Sequence, residues 1–236
     1  MKYLVIIRSI GERTTDLCIK SCSVPGVKVI VLKNYKTNRE STIAEFQTAI
    51  KAKAGFLINV DADIIMVPGW FRTIKPFLKS DKVVSFHLSD RFSVKSILGV
   101  AVYPRDFIKQ APVYFNRLSS YKPNSHLVKL IYPKNGCYKP LKERKSVIGY
   151  HGYEQYYKHI FNRFVIKASR QYKTPLSQYE FDMNNPEDRM AYYGYHYGVK
   201  NRIEESYLNH FELLFNMEEK ASLTMTLEQF YEKHRN

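Results

Sequence analysis

The sequence predicts an α/β fold with a mostly parallel central sheet flanked by helices, followed by a helical and loop-rich C-terminal part. Three observations predict it. Short apolar and β-branched runs alternate with helical patterns through the first hundred residues. Two aspartates follow directly on the third of those runs, where ligands of such sheets bind. Hydrophobic residues make up 44% of the 236, enough for a sizeable core and too many for a disordered chain.

The elements follow in order. Tyr3–Ile7 is a continuous apolar strand, too short for a signal peptide or a membrane span, and Thr14–Ser21 reads as a helix. Val27–Leu32 is a second β-branched run, and Thr42–Ala52 is a helix with Ile43, Phe46 and Ile50 on one face. Phe56–Val60 is a third strand running straight into Asp61-Ala62-Asp63. Pro68-Gly69 opens a helix through Leu78, Val83–Phe86 is a fourth strand, and Gly99–Tyr103 is a fifth that ends at Pro104 before a short helix over 105–109.

Beyond residue 110 the pattern loosens. Residues 111–145, rich in Pro, Asn, Lys and Tyr, read as a long loop region, and 172–198 as a second irregular stretch. Tyr153–Arg170 is a helix, and helices near 203–220 and 227–234 end the chain. The expected organisation is one continuous domain, with residues 1–110 and 111–236 as its halves.

A formal net charge of +15, spread along the chain, attracts anions such as phosphorylated metabolites or an acidic membrane surface. No helix-turn-helix, finger spacing or RNP-like run supports a nucleic-acid partner. Cys18 and Cys22 stand four apart on a predicted helix as packing residues, and with Cys137 the cysteines include no CxxC pair for structural zinc.

Asp61 and Asp63 carry the chemistry. Two carboxylates one residue apart at a strand end can approach a single Mn²⁺ or Mg²⁺, a hard ion that leaves positions open for diphosphate oxygens. Their neighbours Leu57, Ile58, Val60, Ile64 and Ile65 are apolar, and charges within a buried run are costly unless paired or metal-bound. An Asp-rich turn at a strand end is the bland alternative.

The runs Leu4–Ser9 and Val27–Leu32 and the segment Leu57-Ile58-Asn59-Val60-Asp61-Ala62-Asp63, with the Trp70 helix after them, resemble the family-2-like, DxD-containing glycosyltransferases of the Rossmann-like GT-A fold. The resemblance covers roughly the first hundred residues. It implies a nucleotide-sugar-binding half over 1–110 and an acceptor-side half over 111–236. It also implies that the loop after the first strand meets the nucleotide, through Arg8, Ser9, Glu12 and Arg13, with Arg13 toward a phosphate and Glu12 toward base or ribose. Helix capping by Glu12 and a solvated Arg13 are the structural alternatives. Arg39 is placed toward the diphosphate-sugar, and Asp61 toward donor and metal together.

The same resemblance implies a histidine completing the metal site, and His151, at a strand-to-helix junction beside Gly152, is the residue placed for it. Asp90, after the fourth strand, is the first choice for a catalytic base, with Asp106 and Glu154 as alternatives. The expected activity is transfer of a sugar from a nucleotide-sugar to a glycan or lipid-linked acceptor in surface polysaccharide synthesis. The expected location is the cytoplasm, with peripheral contact to anionic membrane. A nucleotidyltransferase is the nearest rival, weakened because only Gly11 stands in the first loop; a non-catalytic basic interaction domain is the other.

Overall fold

The structure, a computed structural model, describes residues 2–78, 81–93, 95–119, 122–133, 147–168, 176–201 and 219–235. Its strands are β1 (Tyr3–Ser9), β2 (Val27–Lys33), β3 (Phe56–Asp61), β4 (Ile64–Met66), β5 (Val84–Asp90), β6 (Ile97–Pro104) and β7 (Val147–His151). They form one sheet in the order β2-β1-β3-β6-β5-β7-β4. The β1/β2, β1/β3 and β5/β7 pairings are parallel, whereas β3/β6, β5/β6 and β4/β7 are antiparallel. The α/β class is as expected, but the sheet is mixed rather than mostly parallel. The parallel pairings of β1, β2 and β3 coincide with the strongest strand–helix alternation in the sequence, and the later strands pair antiparallel except for β5/β7.

Helices α1 (Thr15–Cys22) and α2 (Asn38–Lys51) lie on opposite faces of this sheet. Side chains alternate across a strand, so Val5 and Ile7 pack with Leu17, Cys18 and Cys22 of α1, while Leu4 and Ile6 pack with Phe46 and Ala49 of α2. Both cysteines are thus core residues, as expected; Cys137 lies outside the described residues. The buried stripe of α2 differs from the one expected. It comprises Ser41, Thr42, Glu45, Phe46 and Ala49, whereas Ile50 is 38% exposed. Glu45 enters the core because its carboxylate is met there by Asn59 and Asn124, a compensation that hydrophobic periodicity does not register.

Gly69, left-handed at φ 76°, precedes α3 (Trp70–Ile74), which continues as a 3-10 turn over Lys75–Phe77. Helix α4 (Arg105–Gln110) leads into a 3-10 segment, Ala111–Arg117, and α5 (Pro123–Ile131). This corrects the loop expected from residue 111, within which residues 134–145 lie outside the described ones. Leu127 and Val128 reach the α2-side core, and that burial outweighs the Pro, Asn and Lys content. The helix expected over 153–170 is α6 (Tyr157–Ala168), with 169 and 170 outside the described residues.

The irregular stretch expected over 172–198 is corrected by α7 (Pro186–Asn201), which packs on α6; residues 172–175 are not among those described. Its tyrosines and glycines hide a good helical pattern. Gly194 is required by contact, because a Cβ there would stand 2.3 Å from the backbone oxygen of Phe161. We expect Gly194→Ala to destabilise the protein by about 1–3 kcal/mol, read by denaturant unfolding, since the α6 backbone must move to admit a methyl group. Wild-type stability in that variant would mean the helices pack less closely.

The helix expected near 203–220 falls mostly on residues outside those described, although Glu219 and Lys220 are not helical. The final helix, α8 (Leu227–His234), has the expected bounds and starts with a Thr226/Gln229 capping box. No helix among the described residues is long and apolar enough to cross a membrane.

Candidate functional site

The sheet brings Asp61, Asp63, Asp90 and His151 to one rim. Connections leave β1 and β3 in opposite directions, and these adjacent strands end at Ser9 and Asp61, the switch point where ligands of such sheets collect. Parallel register sets Arg8 opposite Asp61. Further along, β7 lies between β4 and β5 and pairs His151 with both Ile64 and Asp90. The backbone of the Asp-Ala-Asp turn is pinned: Ala62 N donates to Arg8 O at 2.9 Å, Thr14 Oγ1 to Ala62 O at 2.9 Å, and Gly152 N to Asp63 O at 3.0 Å.

Two polar groups flank the turn. In the first, Arg8 donates to Asp61 Oδ1 from Nε at 2.9 Å and from Nη2 at 2.6 Å, and reaches Thr42 and Asn124 at 3.3 Å each. Burial disfavours the Arg8 charge, but Asp61 and Glu45 outweigh it and hold the guanidinium above its ordinary range. Burial pushes Glu45 up to about 7, against the pull of Arg8. In the second, His151 bridges two carboxylates, with Nε2 3.2 Å from Asp63 Oδ2 and Nδ1 2.7 Å from Asp90 Oδ2. Arg163 of α6 also pairs with Asp90 Oδ2, while Phe92 N donates to Oδ1 at 3.0 Å. Gly152, at φ 76°, leaves the space Arg163 needs, for a Cβ there would meet its guanidinium at 2.0 Å.

Burial pushes Asp63 up, but His151 and Arg163 outweigh it and hold the carboxyl at about 2. Burial likewise opposes Asp90, yet Arg163 and His151 hold it far below the usual carboxylate range. His151 is disfavoured by burial but raised overall by Asp63. Asp90 therefore reaches the rim, but as a wholly buried anchor for two cations. Its two oxygens are engaged by His151, Arg163 and the Phe92 amide. Nε2 of His151 is engaged by Asp63 and Nδ1 by Asp90, so the ligand role expected of it requires one of these contacts to open.

The remaining expected residues are distributed as follows. Ser9, buried, bonds Glu12 Oε2 at 2.7 Å and Thr15 at 3.1 Å. Burial and Asp63 push Glu12 up to about 7. Arg13 is held by Ala221 O at 2.8 Å and by Glu154 at 3.2 Å. Arg39 donates to the carbonyls of Phe115 and Asn116, and no described contact brings it to the aspartates. Asp106 pairs with Lys109 on the exposed side of α4, and Glu154 takes Arg13, Lys233 and His234. Beside the rim opens a cleft of about 430 Å³ lined by Ser9, Glu12, Arg13, Lys33, Tyr35 and Tyr156 among others. Sequence reading missed Glu45, Asn124 and the reach of Arg163; the signal available was Asn59, a lone amide inside an apolar strand.

Two carboxylate oxygens at the turn are open. Asp63 Oδ1 is buried with no hydrogen-bond partner, and both Arg8 contacts go to Asp61 Oδ1, so its Oδ2 accepts nothing from the described residues. Among the described residues no three His, Cys, Asp or Glu side chains gather into a closed metal cage. A small divalent ion shared with phosphates and water needs only one or two carboxylates, so this pair fits that kind of ion and not a structural metal.

The shifts fix the pH response of the metal-free protein. Glu12 and Glu45, raised to about 7, contribute stability that is full below 4.5 and lost as they ionise; His151, raised above 6.5, contributes likewise below that pH. Asp63, Asp90 and Glu154 are lowered, so their contribution is full above 3.8 for the aspartates and 4.5 for the glutamate and is lost on acidification. His159, lowered to about 4, adds stability as pH rises toward 6.5 but is one group against the two raised glutamates. The windows overlap at about pH 4–5, where the melting temperature should be highest, falling toward neutrality and below about pH 3.5. A melting temperature rising steadily from pH 5 to pH 8 in chelator would contradict these assignments.

No protein-family model matches the chain, and a search of curated proteins gives no match. Solved structures similar to it include S. aureus TarS residues 1–349 in complex with UDP-GlcNAc, at 12% identity over 92% of this chain and 77% of that one, with a TM-score of 0.43. A glycosyltransferase involved in glycosylation of the major capsid of PBCV-1 aligns at 16% identity over 57% of this chain and 77% of its own, with a TM-score of 0.40. CMP:2-keto-3-deoxy-manno-octonic acid synthetase complexed with CTP aligns at 12% identity over 53% and 81%, with a TM-score of 0.33. At these identities and TM-scores the likeness says nothing about substrate.

Proposed function

We propose that this chain is a glycosyltransferase that moves a sugar from a nucleotide-sugar to a glycan or lipid-linked acceptor with the help of Mn²⁺ or Mg²⁺. One observation carries the reading: two open carboxylate oxygens, one of them buried, stand on a pinned turn at the sheet's switch point, beside a cleft with basic side chains. A buried, unpartnered carboxylate oxygen is costly, and a cation relieves that cost.

In the proposed reaction an acceptor hydroxyl oxygen bonds to the anomeric carbon as the bond from that carbon to the phosphate oxygen breaks. The nucleoside diphosphate leaves with the electron pair, and the hydroxyl proton passes to a carboxylate or water. A divalent ion held by Asp61 and Asp63 would supply charge neutralisation for the departing diphosphate. Arg8 fixes the Asp61 rotamer and His151 that of Asp63, so neither carboxylate must reorganise. Glu12, near half-protonated at neutrality, can donate to or accept from a ribose hydroxyl at the cleft. The net charge of +15 suits an anionic donor and, in the same proposal, peripheral work on an acidic membrane in cytoplasmic surface-polysaccharide synthesis.

Calorimetry with Mn²⁺ and a panel of nucleoside diphosphates tests the reading. Metal-dependent binding of at least one of them is expected. Absence of binding across the panel, with or without metal, would leave the basic interaction domain as the better description.

A further inference from the structure

Glu154, in the turn after β7, ties the first loop to the far end of the chain. Its Oε2 meets Arg13 Nη1 at 3.2 Å, and its Oε1 meets Lys233 Nζ at 2.5 Å and His234 Nε2 at 3.1 Å, both from α8. The side chain is 11% exposed, and His234 and Lys233 hold its carboxyl at about 2, so it is an anion at neutrality. Its backbone is left-handed, at φ 55°. That conformation is uncommon for a residue with a long side chain and persists where the surroundings over-determine it.

The segment before α8 is fastened at both ends. Glu219 accepts from the amides of Tyr157 and Lys158 at 2.7 and 3.0 Å, and Lys220 pairs with Glu187. Further on, Phe230 is fully buried and Tyr231 donates to Met66 O at 2.6 Å. Between these anchors Ala221 O accepts from Arg13 Nε at 2.8 Å, and Ser222 and Leu223 line the 430 Å³ cleft.

Arg13 is therefore held twice. Nε is engaged by Ala221 and Nη1 by Glu154, while Nη2 takes no partner among the described residues. Arg13 lines the same cleft as Lys33. A long side chain fixed beforehand loses less entropy on meeting an anion, so a guanidinium held on two nitrogens is prepared to bind through the third.

We propose that Glu154 is a positioning residue. By clamping Arg13 and α8 together it makes residues 219–235 a working wall of the cleft and sets Arg13 to receive the diphosphate of the donor. The diphosphate rests on the glycosyltransferase reading; the clamp rests on the contacts alone. An anion in the cleft and the docking of α8 then support each other, because linked equilibria are reciprocal.

Inorganic pyrophosphate, which carries neither base nor sugar, is the probe. Calorimetry would compare the full chain as wild type, Glu154→Gln, Arg13→Gln and the double variant. Glu154→Gln should weaken pyrophosphate binding about three- to tenfold. Charge alone predicts the opposite sign, since the variant removes a negative group near an anion site. In the Arg13→Gln background the same change should cost less than about twofold, because Glu154 then has nothing to position. Hydrogen exchange needs no variant. Pyrophosphate should slow exchange of the 227–234 amides in wild type, although α8 contributes no residue to the cleft lining, and should not do so in Glu154→Gln.

Several results would overturn the proposal: Glu154→Gln binding pyrophosphate as well as wild type or better, equal losses in both backgrounds, no wild-type pyrophosphate binding, exchange at 227–234 that pyrophosphate leaves unchanged in wild type, or exchange there that it still slows in Glu154→Gln. Failure of the glycosyltransferase reading looks different. There pyrophosphate binds with the same dependence on Glu154, while no nucleoside diphosphate shows metal-dependent binding.

Discussion

Asp63→Asn should lower sugar-transfer turnover about 100- to 1,000-fold and abolish metal-dependent nucleoside diphosphate binding, with the fold retained. The substitution keeps the side chain's shape and removes the charge that the open, buried Oδ1 presents. Some stability will go with it, because His151 loses one of its two carboxylates. Asp61→Asn is a less clean probe, since it also strips Arg8 of its nearest counter-charge. Turnover of Asp63→Asn within tenfold of wild type, at saturating Mn²⁺, would remove Asp63 from the chemistry.

Asp90→Ala should be the most destabilising single change at the rim, costing about 3–5 kcal/mol, because it leaves buried cations without their shared counter-charge. The Asp90 side chain is fully enclosed and takes His151, Arg163 and the Phe92 amide at once. For a chain of this length that cost corresponds to a fall of about 6–20 °C in melting temperature. Removing Arg163 as well, in Asp90→Leu with Arg163→Met, should recover part of the loss, since an apolar pair replaces a costly ionic one. A loss below about 1 kcal/mol for Asp90→Ala would mean that water reaches the group and screens it.

Much of the N-terminal half was legible in the sequence. Five strands and the helices between them follow from apolar runs and their punctuation, since those residues bury locally whatever the rest of the chain does. The Asp61-Ala62-Asp63 turn was legible for a related reason, as charge breaking into an apolar run. The α6–α7 pair was half lost to view, because Gly194 and Gly198 read as helix breakers until Phe161 and Val165 are seen against them.

The sequence by itself determined most of the strand segments, though not the short β4 (Ile64–Met66), that the chain is α/β, and that two aspartates end the third strand. Only the tertiary structure decided what those aspartates touch. Arg8 meets Asp61 through the register of β1 on β3, and His151 meets Asp63 and Asp90 because β7 inserts between β4 and β5. Asp90 thereby becomes a buried anchor and Glu45 a tolerated core carboxylate. Strand identity is a local property of side-chain pattern, whereas ion pairing and polar satisfaction depend on which distant strands and helices become neighbours.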